Sequence, residues 1–263
     1  MSTDDPGLAR RFSRAAADYD RLTGVQRLVA ERLAGLLDTL PAPAQILEIG
    51  CGTGHFTRVL RRQFPAAHIQ ATDIAVGMIA RARAAVPDAA VTWTVADARH
   101  DLPRAGFDLI AASSSLHWLT PLEPLFARLH RRLHRGGHLV FALMRDGSLR
   151  ELQEARRRVA PHKEPRARLV ATTEVTRALA GAGFALEVLQ EQVSVQRHRD
   201  AATFLADLHR QGVTGGDFSR GRAPLTRGEI KALGADYDAN FPHPDGGVRS
   251  TYEVLHVRAR KPG

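Results

Sequence analysis

Between Gln45 and Met144, short apolar runs rich in β-branched residues alternate with stretches of helical period. The runs are QILEIG, HIQATD, VTWTV, FDLIAAS and GHLVFAL. Among the intervening segments, HFTRVLRRQF and AVGMIARARAAV carry apolar residues three and four apart, and LEPLFARLHRRL does so before the fifth run. RGG reads as the turn into that fifth strand. Alternation of this kind demands right-handed crossovers, which stack helices on both faces of a parallel sheet. The first 40 residues read as helical, with a break at Gly24 and a stop at Pro41 and Pro43. After Met144 the pattern changes. Two helical segments precede a long strand-like run, FALEVLQEQVSVQ, and two more precede the terminal strand STYEVLHVRAR. A helical insertion at about 198–248 therefore divides the last two strands and is a candidate cap over the site. TGGDFSRGRAP and FPHPDGGVRS are rich in Gly and Pro and read as mobile loops. The whole chain, 1–263, reads as one domain: a helical lid over 1–40, a binding core over 45–145 and the cap.

Size and composition allow this. With 263 residues, 44% of them apolar, the chain can bury a large core. No stretch approaches a membrane span, and the N-terminus lacks the apolar region of a secretory signal. The single cysteine, Cys51, rules out an internal disulfide framework and suits a reducing cytoplasm. A net charge of +9, nearly all from arginine, admits an acidic macromolecular partner or simply a solvated surface. Aromatic residues are only 6%, which argues against a stacking surface for single-stranded nucleic acid.

The first strand runs into ILEIGCGTGHF, with glycines at 50, 52 and 54. Glycine lets backbone approach a ligand with no Cβ in the way, and the helix that follows offers unpaired N–H groups to an anion. The spacing Gly50-x-Gly52-x-Gly54 differs from the G-x-G-x-x-G of dinucleotide folds. Asp73 ends the second strand, 19 residues beyond Gly54, where a carboxylate can accept both hydroxyls of a ribose. Asp97 and Ala98 end the third strand, where an adenine amino group can be read. Glu48 precedes the loop, and a negative charge there suits an ammonium. Ile74 just after the second strand, Met78 in the helical segment that follows and Ser113 at the end of the fourth strand complete the candidate set. A ligand with a carboxylate, an ammonium, a ribose and an adenine, and no pyrophosphate, is S-adenosylmethionine.

On these residues the stretch 45–145 resembles the class I S-adenosylmethionine-dependent methyltransferases. The resemblance implies an α/β, Rossmann-like fold with seven strands, mostly parallel, the last antiparallel. The acceptor has to be read elsewhere. After the fourth strand comes SSSLHWL, which is neither the N-P-P-Y stretch of amide-nitrogen methyltransferases nor the Pro-Cys nucleophile of cytosine C5 enzymes. His117 is a candidate general base or a packed helix start. His130 and His134, four apart on a helix, lack a third ligand, so no metal is expected.

RRFSRAAADYD, SSSLHWL, FALMRDGSLRELQEA, LHRQGVTGG, LTRGEIKAL and STYEVLHVRAR occur in this order. That set resembles the malonyl-acyl-carrier-protein O-methyltransferases of biotin synthesis over nearly the whole chain. Two features depart from that family: Gln is frequent where His117 stands, and Arg145 and Asp146 charge the approach to Gly147. The resemblance implies methyl transfer to the free carboxylate of a malonyl thioester on acyl carrier protein. The lid carries Phe12 and Tyr19, and Tyr19 is placed to face the sulfonium. Ser148 and Tyr252 are candidates for hydrogen bonds to the malonyl group. Acyl carrier protein is acidic, so Arg145, Arg150, Arg157 and Arg158 form a candidate docking patch. The nearest rival is a small-molecule carboxyl methyltransferase similar to the trans-aconitate enzymes. Others are an RNA-binding module, supported by charge alone, and a quinone C-methyltransferase, which needs a base and has only His117.

Overall fold

A computed structural model describes residues 7–104, 106–163, 165, 168–214 and 224–263. Three N-terminal helices, α1 (Leu8–Ala15), α2 (Tyr19–Leu22) and α3 (Gly24–Ala34), lead into β1 (Gln45–Ile49). Then follow α4 (His55–Gln63), β2 (His68–Asp73), α5 (Val76–Ala85), β3 (Val91–Val95), β4 (Phe107–Ser113), α6 (Leu122–Arg132) and β5 (Leu133–Met144). The C-terminal part contains α7 (Arg150–Val159), α8 (Thr172–Gly181), β6 (Ala185–His198), α9 (Ala201–Arg210), α10 (Arg227–Asn240) and β7 (Val248–Arg260). The seven strands lie in the order β3-β2-β1-β4-β5-β7-β6. Strands β1 to β5 are parallel, and β7 runs antiparallel between β5 and β6. The expected architecture is therefore present. The connections reverse direction between β1 and β4, and their carboxyl ends open a crevice at that switch point.

Strand period two decides what each β1 side chain meets. Ile46 packs with Val29, Leu33 and Leu60 on the α3–α4 face. Leu47 and Ile49 pack with Phe107, Phe126 and Phe141 on the opposite face. A third cluster is built around Phe204, Tyr237 and Phe241 and makes the insertion a small core of its own. The Tyr237 hydroxyl donates to the Arg249 carbonyl at 2.7 Å and ties that core to β7.

The N-terminal helices are clasped onto both halves of the molecule. The Gly77 N–H donates to Ser13 Oγ at 3.2 Å, and a Cβ on Gly77 would fall 2.5 Å from the Ser13 carbonyl oxygen. Only glycine lets α1 lie this close to α5. On the other side Arg11 Nε donates to the Gly212 carbonyl, and Gln211 Nε2 donates to the Leu22 carbonyl.

Three local expectations are corrected. RGG is no separate turn: β5 begins at Leu133, and its pairing jumps from Phe107↔Leu133 to Leu109↔His138 across Gly136 at φ 79. His134 consequently sits on β5, away from α6, and its Nδ1 meets Asp108 Oδ1 at 3.0 Å. FPHPDGGVRS is a pinned turn, with the His243 N–H on the Gly247 carbonyl at 2.9 Å and Pro242 bridged to Val248. Most of TGGDFSRGRAP, at 215–223, lies outside the described residues. No helix among the described residues is long and apolar enough to cross a membrane.

Candidate active site

A cavity of about 350 Å³ opens at the carboxyl ends of β1 and β4. Its floor is the turn after β1, where Gly50, Gly52 and Gly54 hold φ of 70°, 54° and 84°. A Cβ on Gly50 would lie 2.3 Å from Ser115 Cβ, so the cradle exists because that atom is missing. Asp73 stands at the wall. Its Oδ2 accepts the Gly52 N–H at 2.9 Å and its Oδ1 accepts the Ala75 N–H at 2.8 Å. Burial pushes its carboxyl up to about 6, although those N–H groups pull it down. Ile74, Met78, Asp97, Ala98 and Ser113 line the same space. Above the loop, α2 is fastened by Thr53 Oγ1, which donates to Asp20.

A second cavity, of about 790 Å³, lies between this floor, α7 and the insertion. The residues common to both cavities are Phe12, Tyr19, Gln26, Ser114 and Trp118. They form a throat, and none carries a formal charge. Phe12 is the hub of its aromatic wall, 5.5 Å from the Trp118 ring and 6.3 Å from Tyr19, both edge-on. Burial, and then the negative charges of Asp73 and Asp20, push the Tyr19 phenol far up, so it stays neutral.

Two of the cofactor candidates stand outside the lining of this cavity. Glu48 shares the α4 face with Ile46, and its Oε2 accepts from Thr57 Oγ1 at 2.6 Å. It lies outside the cavity lining, 1% exposed, and burial pushes it up to about 8 despite the Thr57 hydrogen bond. Gly54 caps α4 instead of lining the cavity; a Cβ there would press on Ala82 and Val86 of α5 at 3.3 Å. Arg99 was not anticipated. It lines the first cavity and grips Asp97 with Nε and Nη2 at 2.7–3.1 Å. Burial pushes Asp97 up, and Arg99 more than offsets this, holding it below the ordinary range. A basic residue two positions past the acid was the visible signal. Arg27, His55 and Arg58 also line this cavity and were missed, because only the fold brings α3 beside the start of α4.

All four catalytic candidates line the second cavity, but they do different work there. The Ser148 hydroxyl donates to the Glu253 carbonyl at 2.8 Å and accepts the Glu253 N–H at 2.9 Å, so it pins the chain to β7. Tyr252 is almost fully buried, and burial pushes its phenol up to about 12. The His117 ring is buried and accepts the Met144 N–H on Nδ1 at 3.4 Å. Burial pushes it down to about 3, so it is neutral and too weak a base to take a proton from carbon. Among the described residues no group of three or more His, Cys, Asp or Glu is placed to hold a metal ion.

The basic patch is largely self-neutralised. Arg145 contacts Glu253 at 2.5 Å, Asp146 at 3.1 Å and Glu191 at 3.3 Å; Arg150 also reaches Glu253, at 2.7 Å. Arg158 bridges Glu154 and Asp236, each at 2.7 Å. Arg157 alone of the four is exposed without a carboxylate partner among the described residues, and it lines the second cavity.

A glycine cradle, acids at the ends of β2 and β3 and an aromatic throat fit the donor inferred from the sequence. Together with the sheet order they define a class I S-adenosylmethionine-dependent methyltransferase. Residues 47–141 match the family described as the methyltransferase domain. The curated malonyl-[acyl-carrier protein] O-methyltransferase of Geobacter sulfurreducens is 37% identical over 255 residues, covering 93% of this chain and 94% of the relative. That of Herminiimonas arsenicoxydans is 33% identical, covering 98% and 96%. A solved methyltransferase structure from Bacillus halodurans superposes with a TM-score of 0.64 at 16% identity, covering 89% of this chain and 99% of that one, and shares the fold. The chain belongs to the malonyl-[acyl-carrier protein] O-methyltransferase family.

Proposed function

We propose that this chain methylates the free carboxylate of a malonyl thioester presented by acyl carrier protein. The observation that carries this reading is the uncharged throat between the two cavities, beside which the candidate base His117 is buried and held neutral. S-adenosylmethionine supplies, when bound, an electrophilic methyl group on a sulfonium. A carboxylate acceptor is already ionised, with an ordinary pKa near about 4, and needs no proton removed. A carbon acceptor would need a base, and His117 is a poor one.

The chain's own residues do the rest. Gly50 and Gly52 bring backbone against the donor, Asp73 faces its ribose, and Asp97, oriented by Arg99, faces its adenine. Phe12, Tyr19 and Trp118 exclude water from the throat, which favours a step in which opposite charges cancel. The Tyr19 ring face adds roughly 0.5–2 kcal/mol of attraction for a cation. Positioning across the throat supplies most of the remaining acceleration. In this reading the helices of 1–40 act as the lid and the insertion at 198–248 as the cap. The acceptor cavity, more than twice the donor cavity in volume, gives room for a pantetheine arm. Arg157 at its lining is what remains of the proposed carrier patch. Carrier, enzyme and donor would meet in the cytoplasm.

The test is mass spectrometry of malonyl-acyl carrier protein incubated with the protein and S-adenosylmethionine, with trans-aconitate as the rival acceptor. A gain of one methyl on the malonyl carboxyl supports the reading. Methylation of trans-aconitate alone refutes it.

A further inference from the structure

We propose that the Ser114 hydroxyl and the Nε2–H of His117 act as a pair of neutral donors that hold the acceptor carboxylate at the throat. The inference rests on the proposed function in one respect, that the acceptor is a carboxylate.

Ser114 leaves β4 at φ 57, a left-handed conformation that a residue with a Cβ adopts at a cost. Its backbone N–H donates to the Ala142 carbonyl at 2.9 Å, which fixes the residue against the end of β5. The hydroxyl is buried, and no protein group pairs with it. A strained residue with an orphaned polar atom is not explained by stability, because both features weaken the fold. Ser114 lines both cavities, so the residue stands at the boundary between them. Three residues on, His117 is anchored to the same strand end, through the Met144 N–H on its Nδ1. A neutral imidazole that accepts at Nδ1 carries its proton at Nε2 and can only donate there. Both side chains line the acceptor cavity.

Neutral donors suit this chemistry better than an arginine. A guanidinium ion pair in a water-poor site would stabilise the carboxylate before reaction and lower its nucleophilicity. The guanidinium groups lining the acceptor cavity are engaged elsewhere or lie at its surface. Arg156 donates to the Lys163 carbonyl, Arg168 is paired with Glu174, and Arg157 is exposed. Hydroxyl and imidazole N–H groups fix the orientation of one carboxylate oxygen and leave the other free to attack, and no proton changes hands.

Four variants test the pair: Ser114→Ala, Ser114→Gly, His117→Leu and His117→Gln. Removing either donor should lower kcat/KM for malonyl-acyl carrier protein by about tenfold or more, chiefly through KM. The Kd for S-adenosylhomocysteine should stay within about twofold of wild type. Ser114→Gly relieves the backbone, so its Tm should match or exceed wild type while its turnover falls with that of Ser114→Ala. His117→Gln, which keeps one acceptor and one N–H donor, should recover at least about fivefold over His117→Leu. A kcat/KM within about twofold of wild type in both Ser114 variants, a loss confined to the S-adenosylhomocysteine Kd, or no rescue by Gln overturns the proposal.

Calorimetric titration of the S-adenosylhomocysteine-loaded protein with malonyl-pantetheine separates this claim from the proposed function. Wild type that binds the thioester but never methylates the carrier-bound form refutes the reaction and keeps the grip, provided the variants bind more weakly. Equal binding by wild type and variants refutes the grip alone. No binding by wild type refutes the grip, and the carrier-bound methylation assay then decides the reaction separately.

Discussion

Replacing Asp73 by alanine should separate donor binding from folding, because its carboxylate serves both. In the protein it accepts the Gly52 and Ala75 N–H groups at 2.9 and 2.8 Å and so fixes the loop to the strand end. Leaving two partly buried N–H groups without an acceptor costs about 1–3 kcal/mol each. For a chain of this size that lowers Tm by roughly 4–15 °C. The ligand loses more. Two ribose hydroxyls bonded to a carboxylate contribute about 1.5–3 kcal/mol each, so the S-adenosylhomocysteine Kd should rise by roughly 10²–10⁴. Asp73→Asn keeps one carbonyl oxygen but no charge, and should fall between wild type and alanine. Calorimetry at 10 °C, with circular dichroism to show that each variant is folded, reads both effects. Acid offers an independent check. Asp73 is pushed up to about 6, and a protonated carboxyl accepts poorly, so donor affinity should weaken as pH falls through 6. A folded alanine variant whose donor Kd stays within about threefold of wild type would show that this carboxylate does not touch the donor.

Three further perturbations follow from the same geometry. Gly77→Ala drives a methyl into the Ser13 carbonyl, 2.5 Å away, so α1 must lift from α5; stability should drop by about 1–3 kcal/mol and donor affinity with it, read by calorimetry. Arg157→Glu should raise KM for malonyl-acyl carrier protein several-fold at low salt, converge with wild type at high salt and leave donor Kd unchanged. His256, fully buried on β7, is pushed down to about 4 by burial and then by the Arg32 charge. The unfolded chain therefore takes up a proton below about 6.5 that the folded one refuses; stability present above that pH is lost on the way to 4, by about 3 kcal/mol at pH 4. His256→Leu should remove that part of the acid loss in denaturant titrations at pH 7 and pH 4.

Local pattern carried much of this molecule, because strands and helices announce themselves within a few residues. HIQATD, VTWTV and FDLIAAS are β2, β3 and β4 to the residue, since the apolar runs end where the chain turns into the crevice. The burial of Glu48 needed the fold: Ile46 and Glu48 share a face, and that face belongs to α4, where Thr57 waits. The arginine patch was not legible at all. Arg145 meets Glu253 across 108 positions and Arg158 meets Asp236 across 78, pairings that only the antiparallel return of β7 and the packing of α10 on α7 create. The partner of Ser148 was hidden for the same reason, as it is the backbone of Glu253. The insertion of RGG within β5 was hidden because a register jump depends on the partner strand as much as on its own sequence.

The distribution of charge carries a further physical consequence. The chain has 37 Lys and Arg against 28 Asp and Glu, yet the five residues of the throat are uncharged. At an effective dielectric of 20, a unit charge 4 Å from another contributes about 4 kcal/mol. A free arginine there would repel the donor sulfonium and quench the acceptor carboxylate; a free acid would repel the carboxylate and anchor the sulfonium before reaction. Either choice stabilises one reactant at the other's expense. Asp73 escapes this difficulty because backbone N–H groups occupy it from the loop side. Arg145, Arg150 and Arg158 escape it because they are bound to the protein's own carboxylates. The reaction between two opposite charges therefore requires aromatic rings and neutral donors at its centre, and excess positive charge belongs at the rim, where Arg157 meets solvent and where an acidic carrier can be steered without altering the chemistry it delivers.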